Sequence, residues 1–216
     1  MAKTLLQLQT SLAYRLDEDS VPNNAAEVAK RKSYINEAYS DIIRRQAWWF
    51  TEASSSFNSV ANQASYGASD GVPTNIRTIL ELRFNNTLYQ QITQEEAMRS
   101  NTIPYSGYSQ SYFIFAGSLY FVPPISSSVS LGITIKYYKA HTELSANGDA
   151  VILPDHYADA LVVYAYARTI GKEGERGSAG DAYAEYNEIL KQMNEEQNRY
   201  LFSMKSSYDG FVAQYP

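Results

Sequence analysis

The strongest candidate for a site of chemistry in this sequence is a cluster of one histidine and two aspartates, Asp155, His156 and Asp159. On an α-helix the two aspartates share a face, and His156 lies about 100° away from them. A zinc site needs more ligands in a closed arrangement. Asp155 follows Pro154 at the start of a predicted helix, where an aspartate can cap the first turn. We therefore interpret the cluster as a helix start, and we expect no metal and no cofactor.

No other catalytic pattern is present. His141 has no acidic partner beside it, and the absence of cysteine excludes a thiolate nucleophile. The sequence contains neither G-x-S-x-G nor a phosphate-binding glycine motif. Residues 171–180 include four glycines, but Glu173 and Glu175 in that stretch repel phosphate, so we interpret it as a loop between helices. The sequence predicts that the chain is not an enzyme.

The charge distribution does not favour nucleic-acid binding. The net charge is −5, whereas nucleic-acid-binding domains usually carry a basic surface. Basic residues are concentrated on one predicted helix together with acidic ones, and we interpret this as a solvated, balanced face. The basic residues are Lys30, Arg31, Lys32, Arg44 and Arg45, and the acidic residues are Glu27, Glu37 and Asp41.

The N-terminus and the hydropathy of the chain predict neither a signal peptide nor a membrane span. Gln7, Gln9 and Thr10 interrupt the only leucine-rich stretch near the N-terminus, and no apolar run reaches about 18 residues. Tyrosine is unusually frequent, with 19 residues. Tyrosine suits both interfaces and half-buried core positions, and the sequence leaves these two interpretations open.

Two pairs of predicted helices must position these residues. The first pair covers residues 5–16 and 25–49, and the second begins at Pro154 and ends in a long helix over residues 178–204. The long helix repeats apolar residues every seven positions, as at Tyr186, Met193 and Tyr200. Because neither pair buries its stripe alone, we expect an α+β fold in which the pairs close into one four-helix bundle.

The region between the pairs predicts an inserted all-β domain, built as an antiparallel sandwich or a barrel. Residues 76–84 and 87–92 form a predicted hairpin around Asn85 and Asn86, because asparagine tolerates positive φ. A second hairpin joins residues 112–115 to 119–122, and residues 129–139 alternate as a long strand. The predicted domains are residues 1–50 and 151–205 for the bundle and 51–150 for the insertion, with a docking tail over 206–216.

Two sets of apolar residues are expected to make contacts, one between the predicted domains and one with another subunit. Trp48, Trp49 and Phe50 end the second helix, and we expect them to fill the junction between bundle and insertion. The tail is too apolar for a solvated end, and Gly210 separates it from the last helix. We expect it to dock on another subunit through Tyr200, Tyr208, Phe211, Val212 and Tyr215.

Three stretches together resemble a known family. INEAYSDIIRRQAWWF (35–50) ends a helix in aromatic residues, and FIFAGSLYFVPP (113–124) forms the compact hairpin. IKYYKAHTELSANGDAVILPDHYADALVVYAYARTIGKEGE (135–175) leads from paired tyrosines to Leu-Pro and an alanine-rich helix. The chain resembles the head-to-tail adaptor (connector) proteins of tailed bacteriophages from its first helix to its last, except over residues 101–111 and after Met204.

The resemblance implies a structural virion protein without catalytic residues. It implies a homo-oligomeric ring of about twelve copies beneath the portal, joining the DNA-filled head to the nozzle or tube proteins of the tail. It also implies assembly in the host cytoplasm, a location in the neck of the virion, and DNA that passes through the channel without specific binding. The acidic net charge agrees with that last expectation.

Two alternatives stay open at the level of the sequence. The chain is compatible with another tail-completion component. It is also compatible with a ligand- or glycan-binding module that uses the tyrosine-rich insertion, for example through Tyr105, Tyr108 and Tyr112.

Overall fold

A computed structural model describes residues 2–102, 110–172 and 174–212, without the side chains of residues 100–102 and 204–212. The chain divides into two compact units. The helical unit comprises Met1–Thr51 and His141–Pro216, and the sheet unit comprises Glu52–Ala140. No helix in the described part of the chain is long and apolar enough to cross a membrane.

The helical unit is formed by the two ends of the chain. Thr4 and Gln7 form a complete capping box at the start of the first helix, as their spacing predicts, and Asn24 caps the second helix by accepting from the Ala26 N–H at 2.9 Å. The described helices of this unit are α1 (Leu5–Arg15), α2 (Ala25–Arg45), α4 (Asp159–Lys172) and α5 (Arg176–Val212).

The prediction of a four-helix bundle is wrong. Helix α4 has its main contacts with α5, α2 and α1, and it is buried on most of its circumference. A helix that is apolar nearly all round is a central element, whereas a bundle helix buries one stripe. The lengths also differ greatly, because α5 has 37 residues and α1 has 11. At about 1.5 Å per residue, α5 is ~55 Å long and extends beyond the helices it packs against.

The sheet unit contains one curled, seven-stranded sheet, which forms a half-barrel rather than a sandwich. The strand order is β1-β7-β3-β4-β5-β6-β2, and all pairs are antiparallel except β4–β5. A short helix, α3 (Gln94–Thr102), connects β4 to β5. The strands are β1 (Glu52–Ser59), β2 (Ser65–Tyr66), β3 (Ile76–Phe84), β4 (Thr87–Gln91), β5 (Ser111–Phe115), β6 (Ser118–Val122) and β7 (Val129–Lys139).

Local turn chemistry and β-bulges shape this sheet. Asn85 and Asn86 both have positive φ in the turn between β3 and β4, and Ala116 and Gly117 repeat this between β5 and β6. Both predicted hairpins are therefore confirmed, since two positive-φ residues match the twist of the flanking strands. The pairing of β7 with β1 and β3 shifts register at bulges, which increase twist and curl the sheet.

Each unit has its own apolar core. The helical core is centred on α4 and includes Leu8, Ile42, Trp48, Leu161 and Met193, all of which are fully buried. The sheet core lies on one face of the curled sheet, and its members include Phe57, Tyr66, Leu82, Tyr112, Phe121 and Ile133.

Candidate functional site

The cluster Asp155, His156 and Asp159 does not form a common site. Asp155 and His156 lie in a 3-10 helix, and α4 begins only at Asp159. Asp159 accepts from the Lys3 ammonium at 2.5 Å, whereas His156 Nε2 lies 3.6 Å from the Glu196 carboxylate. Among the described residues, no group of three histidine, aspartate or glutamate side chains could hold a metal ion.

His141 is placed as a packing residue. Its ring lies edge-on to Tyr39 at 4.7 Å, and its Nε2 atom is buried without a hydrogen-bond partner. Burial lowers the pKa of His141, and the positive charge of Arg44 acts in the same direction. The imidazole is therefore neutral near pH 7 and is held in an apolar contact.

Three basic residues of α2, Lys30, Arg31 and Arg45, are paired with carboxylates. Arg31 is buried and donates to both carboxylate oxygens of Glu18 at 2.6 Å, and Glu27 lies 3.3 Å away. Lys30 also pairs with Glu27, and Arg45 pairs with Asp41 at 2.8 Å. The balanced charge is confirmed for these residues, but Arg31 is internal rather than solvated. The carboxylates of Glu18 and Glu27 neutralise Arg31, so its positive charge is not available to nucleic acid.

The three aromatic residues after α2 belong to the helical core. Trp48 is fully buried, stacks on Phe50 at 5.7 Å and donates from Nε1 to the Ile42 carbonyl at 2.7 Å. Trp49 lies edge-on to both rings, and its backbone N–H donates to Gln197 Oε1 at 2.9 Å. These contacts fix the end of α2 against α5. A role at the junction with the sheet unit stays a prediction.

Several tyrosines of the helical unit bind carboxylates across helices. Tyr164 donates to Glu37 and Tyr186 donates to Asp41, both at 2.8 Å. Burial raises the pKa of both phenols, and the adjacent carboxylates raise it further. These residues line an open groove of about 530 Å³ between α2, α4 and α5. Their hydroxyl groups therefore join the helices to one another.

The glycan-binding alternative has little support in the described residues. Tyr112 is buried, and burial raises its pKa to about 12, so its ring is not available for stacking on a sugar. Tyr105 and Tyr108 lie outside the described residues.

Helix α5 provides the clearest surface for a partner. Its buried face runs through Ala182, Tyr186, Leu190, Met193 and Gln197. Beyond Gln197 the apolar side chains are exposed: Leu201 is 50% exposed and Phe202 is 75% exposed. Neither residue belongs to the seven-residue stripe on which the sequence prediction rested. Phe202 lies off the buried face, whereas Leu201 follows Leu190 by eleven residues and lies on the same side of the helix, beyond Gln197. Their apolar character next to the end of that stripe was the available signal.

The predicted docking residues lie on or after the same helix end. Tyr200 is half-buried. Residues 208, 211 and 212 lie in α5, so the helix continues through Gly210 rather than breaking there. The side chains of Tyr208, Phe211 and Val212 are not described, and Tyr215 lies outside the described residues. Docking through these residues stays a prediction.

Comparison with known proteins gives one family. None of the curated proteins matches the chain. A family model described as "SU10 adaptor protein" matches residues 3–207, which include both structural units. The resemblance to phage head-to-tail adaptors is thereby confirmed. The chain belongs to the SU10 adaptor protein family of phage head–tail adaptors.

Proposed function

We propose that this phage adaptor forms a homo-oligomeric ring, of about twelve copies, beneath the portal and joins the DNA-filled head to the nozzle or tube proteins of the tail. The single observation that carries the proposal is the family match over residues 3–207. Members of this structural, non-enzymatic class interact with head and tail components in the virion neck. Assembly takes place in the host cytoplasm.

The end of α5 is the part of the chain that docks on the portal or on a neighbouring subunit. It extends past the helical core, and Leu201 and Phe202 present apolar surface there. Exposed apolar side chains at a helix end gain free energy when a partner covers them. Tyr200, Tyr208, Phe211, Val212 and Tyr215 are the further residues that we expect to take part in this contact.

DNA passes through the channel of the proposed ring without specific binding. The net charge of −5 supports this, as do the carboxylate partners of Arg31 and Arg45. Basic residues that are already neutralised attract few phosphate groups.

Complementation of a phage that lacks the adaptor gene product tests the docking role. Two variants are compared with the wild-type chain: a truncation after Ser207, and the double substitution Leu201→Glu with Phe202→Glu. Both changes lie C-terminal to Gln197, the last buried residue in the described part of α5, so we expect melting temperatures within a few degrees of the wild-type value. We expect at least a hundredfold loss of phage titre and an accumulation of DNA-filled heads without tails.

The matched control carries Leu88→Glu and Leu131→Glu, which replace two similarly exposed residues of the sheet unit. We expect this control to complement within about threefold of the wild-type titre. Normal titres with both α5 variants would contradict docking through the end of α5. An equal loss of titre in the control would show that replacing any exposed apolar residue impairs the protein. That result would also contradict docking through the end of α5.

A further inference from the structure

Large apolar side chains are exposed at two places in the described part of the helical unit. Leu6 and Tyr14 lie on α1, where they are 44% and 64% exposed, and Leu201 and Phe202 lie near the end of α5. The two places are on different helices. A unit with two separate apolar surfaces can bind one further copy of itself through each of them.

The outer face of α1 is uncharged. Leu6, Thr10 and Tyr14 are spaced four residues apart and therefore share one face of the helix. The sequence has no charged residue between Lys3 and Arg15. Charged residues are depleted at the centres of protein interfaces, so an exposed helix face of this kind is typical of a protein contact. An open groove of about 590 Å³ runs along it and is lined by Lys3, Leu6, Gln7, Thr10, Ser11 and Asp155.

The charges around the two surfaces are complementary. From Gln197 to Tyr208 the sequence contains Arg199 and Lys205 but no acidic residue, although the preceding part of α5 is rich in glutamate. The outer face of α1 has acidic residues at both ends: Asp155 lines the groove, and the exposed residues Asp17 and Asp19 follow the helix. An apolar stretch with basic residues therefore matches an apolar face with acidic ends.

Both surfaces lie at the end of the helical unit where α4 begins. The Lys3 ammonium binds Asp159, the first residue of α4, at 2.5 Å. Just before α4, the Tyr157 hydroxyl donates to Glu196 of α5 at 2.6 Å. Leu201 follows Glu196 by five residues, which is about 7.5 Å along the helix. This placement permits contact between copies that are related by a rotation alone, as a closed ring requires.

We propose that the end of α5 in one copy packs against the outer face of α1 in the next copy of the ring, with Leu201 and Phe202 against Leu6 and Tyr14. A second copy fits because it carries the surface that is complementary in both apolar character and charge. Each copy has a net charge of −5, and a contact through an acid-free stretch avoids repulsion between copies. The inference rests on the proposed function, because it assigns the contact that closes the proposed ring.

Cross-linking in phage particles tests this contact, and the chain suits the method because it contains no cysteine. The double variant Ser11→Cys with Ser203→Cys places one thiol in the α1 groove and one beside Phe202. Both changes are nearly isosteric. Particles complemented with this variant are treated with a short bis-maleimide. We expect a ladder of covalent multimers of this chain, at yields at least about tenfold above those of the controls.

The controls are the two single variants and the pair Ser11→Cys with Ser178→Cys, which moves the second thiol to the other end of α5. We expect monomers from all three. Dimers from Ser203→Cys alone would show that α5 ends pair with one another, which overturns the inference. Monomers from the first pair in particles that contain the chain in the neck contradict only the contact between α5 and α1. Absence of the chain from the neck contradicts the proposed function itself.

A charge placed on the α1 face gives an independent readout. Leu6→Lys introduces a cation opposite the basic end of α5, whereas Leu88→Lys changes a similarly exposed leucine of the sheet unit. Both side chains are exposed, so we expect melting temperatures within a few degrees of the wild-type value. We expect Leu6→Lys to lower phage titre by at least about tenfold and to remove the cross-linked ladder. Equal titres and ladders for the two variants would contradict the contact, as would cryo-electron microscopy that shows the α5 end on the portal.

Discussion

At the scale of single residues, buried polar side chains fix the loops of the helical unit. Asn36 is buried in α2, donates to the Leu144 carbonyl at 2.9 Å and accepts from the Leu144 N–H at 2.8 Å. Tyr39 accepts from the Ile152 N–H at 3.1 Å. These contacts hold the segment that precedes α4 against α2. Sequence alone did not predict them, since the partners lie more than a hundred residues apart.

The Asn36 contact has a measurable effect on stability. We expect Asn36→Ala to lower the free energy of unfolding by about 2–3 kcal/mol, because it leaves two buried backbone groups of Leu144 without partners. Asn187→Ala is the control, since Asn187 is exposed on α5 and alanine favours a helix. The control should change stability by less than about 0.5 kcal/mol. Urea denaturation measures both, and equal values would show that the Asn36 contact contributes little.

The ion pair between Glu18 and Arg31 predicts a pH dependence of stability. Hydrogen bonds from Arg31 hold the pKa of Glu18 below its ordinary value of 4.5. A lowered carboxyl pKa means that this stabilisation is complete above pH 4.5 and is lost as the pH falls through the lowered value. We expect Glu18→Gln to lower the free energy of unfolding by about 1–2 kcal/mol at pH 7. This is less than the loss at a fully buried ion pair, because Glu18 is partly exposed to solvent.

The difference in stability between the wild-type chain and the Glu18→Gln variant should therefore shrink as the pH is lowered below 4.5. Thermal unfolding at a series of pH values measures it. The control is Glu95→Gln, because Glu95 pairs with Arg99 at a fully exposed position of α3. A difference of constant size across the pH series would contradict the assigned ion pair.

At the scale of secondary-structure elements, α5 is the part that differs most from expectation. The glycines of residues 171–180 predicted a loop, but α4 continues to Lys172 and α5 begins at Arg176. Ala179 and Ala182 are buried, and a Cβ at Gly171 would lie 3.4 Å from the Ala179 Cβ. Small residues here permit close helix contact, and this tertiary packing overrides the low helix propensity of glycine.

The hairpins were predictable because their turn chemistry is local. Asn85 and Asn86 carry the positive φ values that the turn requires, whatever the remainder of the chain does. The single curled sheet was not predictable in this way. Its curvature depends on bulges in β7 pairings between segments distant in sequence, and no local pattern records them.

The burial of α5 in the helical core is tested by one substitution within the core and one beyond it. Leu190 is 4% exposed in the helical core, whereas Leu201 on the same helix is 50% exposed. We expect Leu190→Asp to lower the free energy of unfolding by at least about 3 kcal/mol, because it buries a charge and removes apolar contacts. Leu201→Asp should cost less than about 0.5 kcal/mol. An unchanged melting temperature for Leu190→Asp would contradict the assigned face.

At the scale of the whole molecule, two separately packed units are joined in one chain. The helical unit is assembled from both ends of the sequence, and the sheet unit is inserted between them. The α+β class was predictable from the change in composition after Phe50, but the packing of helices around α4 was not. An amphipathic pattern indicates that a helix needs a partner without saying which helix provides it.

The functional surfaces follow this division. In the helical unit, the exposed end of α5 is proposed to dock on the portal or a neighbouring subunit. An adaptor that joins two assemblies needs more than one such contact, and two separately packed units can supply them separately.

Cryo-electron microscopy of the neck in DNA-filled particles tests the central claim most directly. We predict a closed ring of this chain that contacts the portal on one side and a tail protein on the other, with the end of α5 buried in a contact. Location of the chain outside the neck, or copies that do not form a closed ring, would contradict the account.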